Sequence, residues 1–190
     1  MAVLAKKIYT PEEYLKFERA AEYKSEYVNG EILAMSGASG AHNRIQMRLY
    51  AELDARLRGS PCEPFTADMR VQTNATHYCY PDASVACGEA LLEDTNRDTL
   101  LNPVLIVEVL SPSTEKYERG LKFERYKRIE SLREYVLVWQ DRPRIERWLL
   151  TDGRWESLTV EGLDALIRPE SIGIDLPLAA VYARVDFAEH

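Results

Sequence analysis

"VLIVEVLSPST", residues 104–114, sets one carboxylate, Glu108, inside a run that otherwise contains only aliphatic residues. A short, almost unbroken apolar run bounded by Asn-Pro before it and Ser-Pro after it reads as a strand covered on both faces, central in its sheet. An ionised carboxylate kept from water without a partner costs several kcal/mol. Two readings follow: Glu108 points to a solvated face, or a metal ion or cationic side chain neutralises it.

Upstream, "YPDASVAC" (residues 80–87) is a second strand with Asp82 at its start. If the two strands are neighbours, Asp82 and Glu108 converge, and a pair of carboxylates suits a hard cation such as Mg²⁺. The competing reading makes Asp82 a turn residue at a strand start. Downstream, Ser113 or Thr114 caps a helix expected over residues 116–130. At ~100° per residue, Lys122 projects between Ile129 and Tyr126, toward the apolar stripe. It either snorkels along that surface or answers an acid. Glu118, one turn earlier, can pair with it on the helix surface.

Further out the pattern alternates less regularly. "TPEEYLKFERAA" opens with a Thr10 cap, Pro11 at the first helical position and Glu13 closing a capping box. In "SEYVNGEILAM", Asn29-Gly30 joins two strand-like arms by a type I′ turn, which puts Glu26, Val28, Glu31 and Leu33 on one face. "HNRIQMRLYAELDARLRG" is an amphipathic helix with Ile45, Leu49, Leu53 and Leu57 inward and a Gly59 stop. His42 precedes it as a cap, a core hydrogen-bonder or a catalytic group. "FTADMRVQT" reads as one half-buried strand, and residues 88–103 as a polar loop. "EYVLVWQ", "RIERWLL" and "RWESLTV" are three more strands joined by "DRPR" and "TDGR", and the tail is a loop with a short helix. An antiparallel or mixed sheet with helices against it fits this order better than a βαβ repeat.

Composition sets the frame. The 190 residues, 46% hydrophobic and 29% charged, predict one globular α/β (α+β) domain over 1–190. Cys62, Cys79 and Cys87 match no zinc spacing and read as buried thiols, which points to a reducing, cytoplasmic compartment. No export signal is recognisable, and no apolar stretch nears the ~20 residues of a membrane span. A formal charge of −7 has the wrong sign for general attraction to nucleic acid, so phosphate contacts require a local basic patch. Arg119, Lys122, Arg125, Lys127 and Arg128, with Arg44, Arg48, Arg56 and Arg58 of the second helix, are the candidates. Walker loops, dinucleotide fingerprints and serine or cysteine nucleophile motifs are absent.

Taken together, "SEYVNGEIL", "HNRIQMRLYAEL", "YPDASVAC", "PVLIVEVLSPST", "ERGLKFERY" and "REYVLVW" resemble the Uma-two family of restriction endonucleases, a branch of the PD-(D/E)XK nuclease superfamily. The likeness runs from about Tyr9 to Tyr182. It implies a restriction-endonuclease-like fold, a central mixed sheet flanked by helices, in which Asp82 and Glu108 bind the metal. The superfamily's lysine position is occupied by Leu110, and the resemblance relocates that lysine to Lys122. Glu26 matches an acid recurrent in the family. Glu118 stands where aspartate is usual and Val136 where tryptophan is usual. The activity implied is endonucleolytic hydrolysis of DNA with Mg²⁺, or Mn²⁺ in its place, by a homodimer outside any membrane. The rival expectations are a non-cutting nucleic-acid-binding or regulatory module on the same scaffold, and a purely structural ion-pair network.

Overall fold

The computed structural model describes residues 7–187. Its main sheet has six strands in the order β11-β10-β9-β8-β6-β3. These are β3 (Cys62–Thr66), β6 (Ala83–Cys87), β8 (Leu105–Leu110), β9 (Glu134–Trp139), β10 (Arg144–Thr151) and β11 (Arg154–Glu161). β8 and β9 run parallel and the other pairs antiparallel, so the sheet is mixed, as expected. All six residues of β8 are buried, because β6 and β9 flank it and both its faces are covered.

Leu105, Val107 and Val109 face α2 (Gly40–Leu57) in one core cluster. Ile45, Leu49, Leu53 and Leu57 of α2 are at most 3% exposed, and each such side chain contributes roughly 1.5–3 kcal/mol by burial. α5 (Leu178–Val181), after the two-stranded β12 (Leu166–Ile167) and β13 (Leu176–Pro177), closes the same face. Ile106 and Leu110 point to the opposite face, with Phe123, Tyr126 and Tyr135.

A second sheet, not anticipated from the sequence, has five strands in the order β2-β1-β5-β4-β7. Here α1 (Pro11–Glu18), with the Thr10 capping box, packs on the hairpin of β1 (Ser25–Val28) and β2 (Glu31–Ala34). The hairpin has the expected register, Val28 opposite Glu31 and Glu26 opposite Leu33, with Asn29 and Gly30 both at positive φ. β5 (His77–Cys79), β4 (Arg70–Asn74) and β7 (Thr99–Leu100) complete the sheet.

The structure corrects several expectations. "FTADMRVQT" is not one strand: a turn over residues 67–69 moves the chain from β3 in the main sheet to β4 in the second. Arg70, at the start of β4, is 2% exposed, because Asp98, Thr99 and Tyr80 receive its guanidinium. The supposed loop of residues 88–103 contains β7, which pairs in parallel with β4. The helix expected over residues 116–130 instead comprises α3 (Glu115–Tyr117), a π-helical turn (Glu118–Lys122) and α4 (Phe123–Tyr126). Three-residue turns after Arg125 end it early and bring Ile129 and Leu132 into the core. Finally, Cys62 and Cys87 are not free thiols: they face each other across β3 and β6 and form a disulfide, leaving Cys79 buried and free. The compartment argument from reduced cysteines therefore loses two of its three residues.

Candidate active site

Glu108 lies on the β8 face that carries Ile106 and Leu110, so it points under α4 and not into solvent, and it is 3% exposed. The Lys122 ammonium sits 2.8 Å from its Oε1, and the Tyr126 hydroxyl donates to the same oxygen at 2.5 Å. Lys122 is 5% exposed, so it does not snorkel. Its Nζ also lies 3.4 Å from Glu26 Oε1 and 3.3 Å from Glu118 Oε2. Glu118 and Lys122, both buried, bound a π-helical turn, a rare geometry that recurs at functional sites.

Asp82 is set by strand register. Ala83 pairs with Val107, which places Asp82 beside the end of β8, and its Oδ2 accepts the Val109 N–H at 2.6 Å. Its Oδ1 receives the Gln46 side-chain amide at 2.8 Å and lies 2.8 Å from His42 Nε2. His42 and Gln46 stand one turn apart on α2, so a single helix face holds the carboxylate. Both line one cleft of about 710 Å³ with Glu26, Asp82, Glu108 and Lys122.

The structure thus brings Glu26, Glu108 and Lys122 into direct contact and sets Asp82 on the same cleft. Glu118, read as a surface partner, is 8% exposed and belongs to the cluster. His42, expected before α2 as a cap, a core hydrogen-bonder or a catalytic group, instead lies in its first turn, which Ser39 caps, and pairs with Asp82. Tyr126 and Gln46 went unassigned; their only signal was spacing, each lying four residues after a site residue, Lys122 and His42.

Charge does not balance here. One ammonium faces the carboxylates of Glu26, Glu108 and Glu118, with Asp82 alongside. Burial would lower the affinity of Lys122 for its proton, but Glu108, Glu26 and Glu118 outweigh it and hold the proton well above the ordinary lysine range. Burial, then the charge of Glu118, pushes Glu108 well above the usual carboxylate range, and burial with Glu26 raises Glu118. For both acids burial is the larger cause, and the crowding of acids around one cation adds to it. Glu118 Oε2 takes no well-directed hydrogen bond despite its closeness to Lys122.

This donor set fits a hard divalent cation. It offers only oxygen, carries surplus negative charge and has an under-satisfied carboxylate oxygen. Among the described residues no three Asp, Glu, His or Cys side chains gather tightly enough to enclose a cation unaided. Mg²⁺ suits such a site, since it keeps several waters and needs only one or two carboxylates.

The expected basic patch is largely spent on internal pairs. Lys122 is buried, Arg119 pairs with Glu146 at 3.0 Å, Arg56 with Glu52, Arg58 with Asp54 and Lys127 with Glu124. Arg125 donates to the Tyr117 hydroxyl at 2.6 Å. Arg44 and Arg128 stay exposed.

Residues 11–179 match the sequence pattern of the Uma2 family, described as "Putative restriction endonuclease". The chain belongs to this family. It is 37% identical over 180 residues to the uncharacterized protein slr1290 of Synechocystis sp., covering 94% of this chain and 93% of that one. A second uncharacterized protein of the same organism, sll1609, is 36% identical over 170 residues, covering 85% and 96%. Among solved structures, one described as "a putative nuclease belonging to DUF820 from Anabaena variabilis" superposes with a TM-score of 0.75 at 20% identity, covering 92% of this chain and 97% of that one. This likeness establishes the restriction-endonuclease-like fold. No helix among the described residues is long and apolar enough to cross a membrane.

Proposed function

We propose that this Uma2 family member is a metal-dependent endonuclease that hydrolyses phosphodiester bonds of DNA, acting in the cytoplasm as a homodimer. One observation carries the reading: a buried lysine ammonium lies 2.8 Å from a strand carboxylate, at the floor of a cleft that a second carboxylate shares. Asp82 and Glu108 would hold Mg²⁺, or Mn²⁺ in its place. Such a cation, when bound, polarises the scissile phosphate and acidifies a neighbouring water.

The chain's own residues do the rest. Lys122 stays charged at any physiological pH and offsets negative charge that develops on the phosphoryl oxygens. Tyr126 fixes the rotamer of Glu108 by donating to Oε1. His42, Gln46 and the Val109 N–H hold Asp82. Glu26 and Glu118 position the ammonium from its other sides.

One observation favours a non-cutting scaffold instead: both oxygens of Asp82 already have protein partners, as in a structural network. Calorimetric titration with Mn²⁺ separates the two. The nuclease reading expects one saturable site in the parent, lost in Asp82→Ala and largely kept in Lys122→Ala. Absence of Mn²⁺ binding by the parent would leave only the structural network.

A further inference from the structure

The hairpin that delivers Glu26 presents more than that acid. Glu26 stands opposite Leu33, and beyond the last registered pair Met35 donates its N–H to the Lys24 carbonyl at 3.0 Å. Strand alternation therefore puts Lys24, Glu26, Leu33 and Met35 on one face of the ribbon, and all four line the cleft. Glu26 is buried against Lys122 at the cleft floor, whereas Leu33 and Met35 are 42% and 39% exposed. Two apolar side chains left open to water, beside a cluster of buried acids, mark a surface that is covered in use.

Charge and size restrict what covers it. Among the described residues, Lys24 and Lys122 are the only lysines or arginines on the cleft, against the carboxylates of Glu26, Asp82, Glu108 and Glu118. Lys24 pairs with Asp68, whose side chain is largely exposed, and such a bridge contributes at most ~1 kcal/mol and yields to a phosphate. A duplex would carry two rows of phosphates past four acids, with two cations to meet them. The cleft volume of about 710 Å³ falls among those that take small ligands, ~300–1,000 Å³, which is room for a nucleotide or two and not for a duplex. Tyr117 lines the cleft as well. The Arg125 guanidinium fixes it, donating to its hydroxyl at 2.6 Å and lying 5.5 Å from its ring.

We propose that Leu33, Met35, Tyr117 and Lys24 form a subsite for an unpaired nucleotide next to the scissile phosphate. The apolar side chains and the Tyr117 ring take the base, and the Lys24 ammonium takes its phosphate. The identity of this ligand rests on the nuclease reading, which the subsite deepens. A nucleobase has a flat apolar face, and proteins that hold a base out of the stack seat it against apolar and aromatic side chains. Because Leu33 sits beside Glu26, and Glu26 contacts Lys122, a base seated there brings the adjoining phosphate toward the ammonium. The hairpin thereby selects DNA that is unpaired at the point of cutting.

The test is fluorescence anisotropy, without divalent metal and at low salt, on three labelled duplexes: fully paired, with a one-thymidine bulge, and with an abasic bulge. The thymidine bulge should bind about tenfold more tightly than the abasic one, the effect of one stacked base, and the fully paired duplex no better than the abasic. The double variant Leu33→Ser, Met35→Ser should erase that difference and bind the fully paired duplex as the parent does, whereas a merely structural loss would weaken all three alike. Lys24→Ala should weaken both bulged duplexes and lower the logarithmic salt slope by about one. Equal affinity for the two bulges, a tenfold difference that survives in the double variant, an unchanged slope in Lys24→Ala, or no binding of any duplex would overturn the subsite. If the parent nicks plasmid with Mn²⁺ but shows no preference among the three, the subsite alone fails. A preference in a protein that neither binds Mn²⁺ nor cuts DNA would keep the subsite and retire the nuclease reading.

Discussion

Lys122 Nζ contacts three carboxylates inside a protein, and that number explains both its retention and the cost of losing it. Removing one partner of a buried pair leaves the other charge uncompensated, which costs ~3–5 kcal/mol. Tyr126 is the gentler probe. Its hydroxyl donates to Glu108 Oε1 at 2.5 Å, and a hydrogen bond to a charged group contributes ~1.5–3 kcal/mol. Tyr126→Phe keeps the ring packed beside Tyr135 and should lower unfolding free energy by about that amount in urea titrations. Equal stability of the two proteins would mean that Glu108 does not rely on this donor. At this scale the sequence was partly legible. Glu108 declared itself because an acid in an apolar strand demands an explanation, and Lys122 because its side of the wheel was apolar. Tyr126 looked like ordinary core, and only the structure shows its hydroxyl meeting a carboxylate.

Among the elements, the π-helical turn and the hairpin carry the site. The turn gathers Glu118 and Lys122 on one side, while β1 delivers Glu26 from the second sheet. Hairpin geometry was readable from Asn-Gly, since few other pairs tolerate two positive φ values. The π turn was not, because a four-residue spacing looks the same on an α-helix. The strand switch at residues 67–69 also escaped, since period-two alternation continues across a turn that changes sheets. β5 offers a test of how the second sheet is held. His77, on β5 opposite Val28, is 5% exposed, and burial, then Arg125 and Arg128, lower its proton affinity below the usual histidine value. The unfolded chain therefore binds this proton more readily than the folded one. Stability from His77 is present above the unfolded pKa of ~6.5 and is lost as pH falls through the folded value. Thermal melts should show this acid-side loss, and His77→Gln should flatten it. An unchanged pH profile in that variant would exclude His77 as its source.

For the whole molecule, the total charge of −7 and the many internally paired arginines leave few cations for a nucleic acid. DNA association should thus weaken steeply with salt, and Arg128→Glu should flatten the logarithmic slope, as measured by fluorescence anisotropy. A salt-independent binding constant would rule out phosphate contacts as the source of affinity. A two-fold pair is the simplest way for one such unit to cut both strands, so light scattering should report a dimer, alone or with DNA. Monomer under both conditions would count against that assembly. The mixed sheet was legible in advance because β8 is short, apolar and unbroken. The second sheet was not, because the pairings that join it, β1 with β5 and β4 with β7, link short strands far apart in sequence, and the cysteines joined between β3 and β6 are likewise distant. The proposed nuclease centre joins Asp82, Glu108 and Lys122 with a divalent metal. Its most direct test is nicking of supercoiled plasmid with Mn²⁺ by the parent and by Lys122→Ala, each confirmed folded by circular dichroism. Nicking by the parent should stop when the metal is chelated, and Lys122→Ala should nick about two to three orders of magnitude more slowly. Parent-level nicking by Lys122→Ala, or none by the parent with any divalent metal, would contradict it.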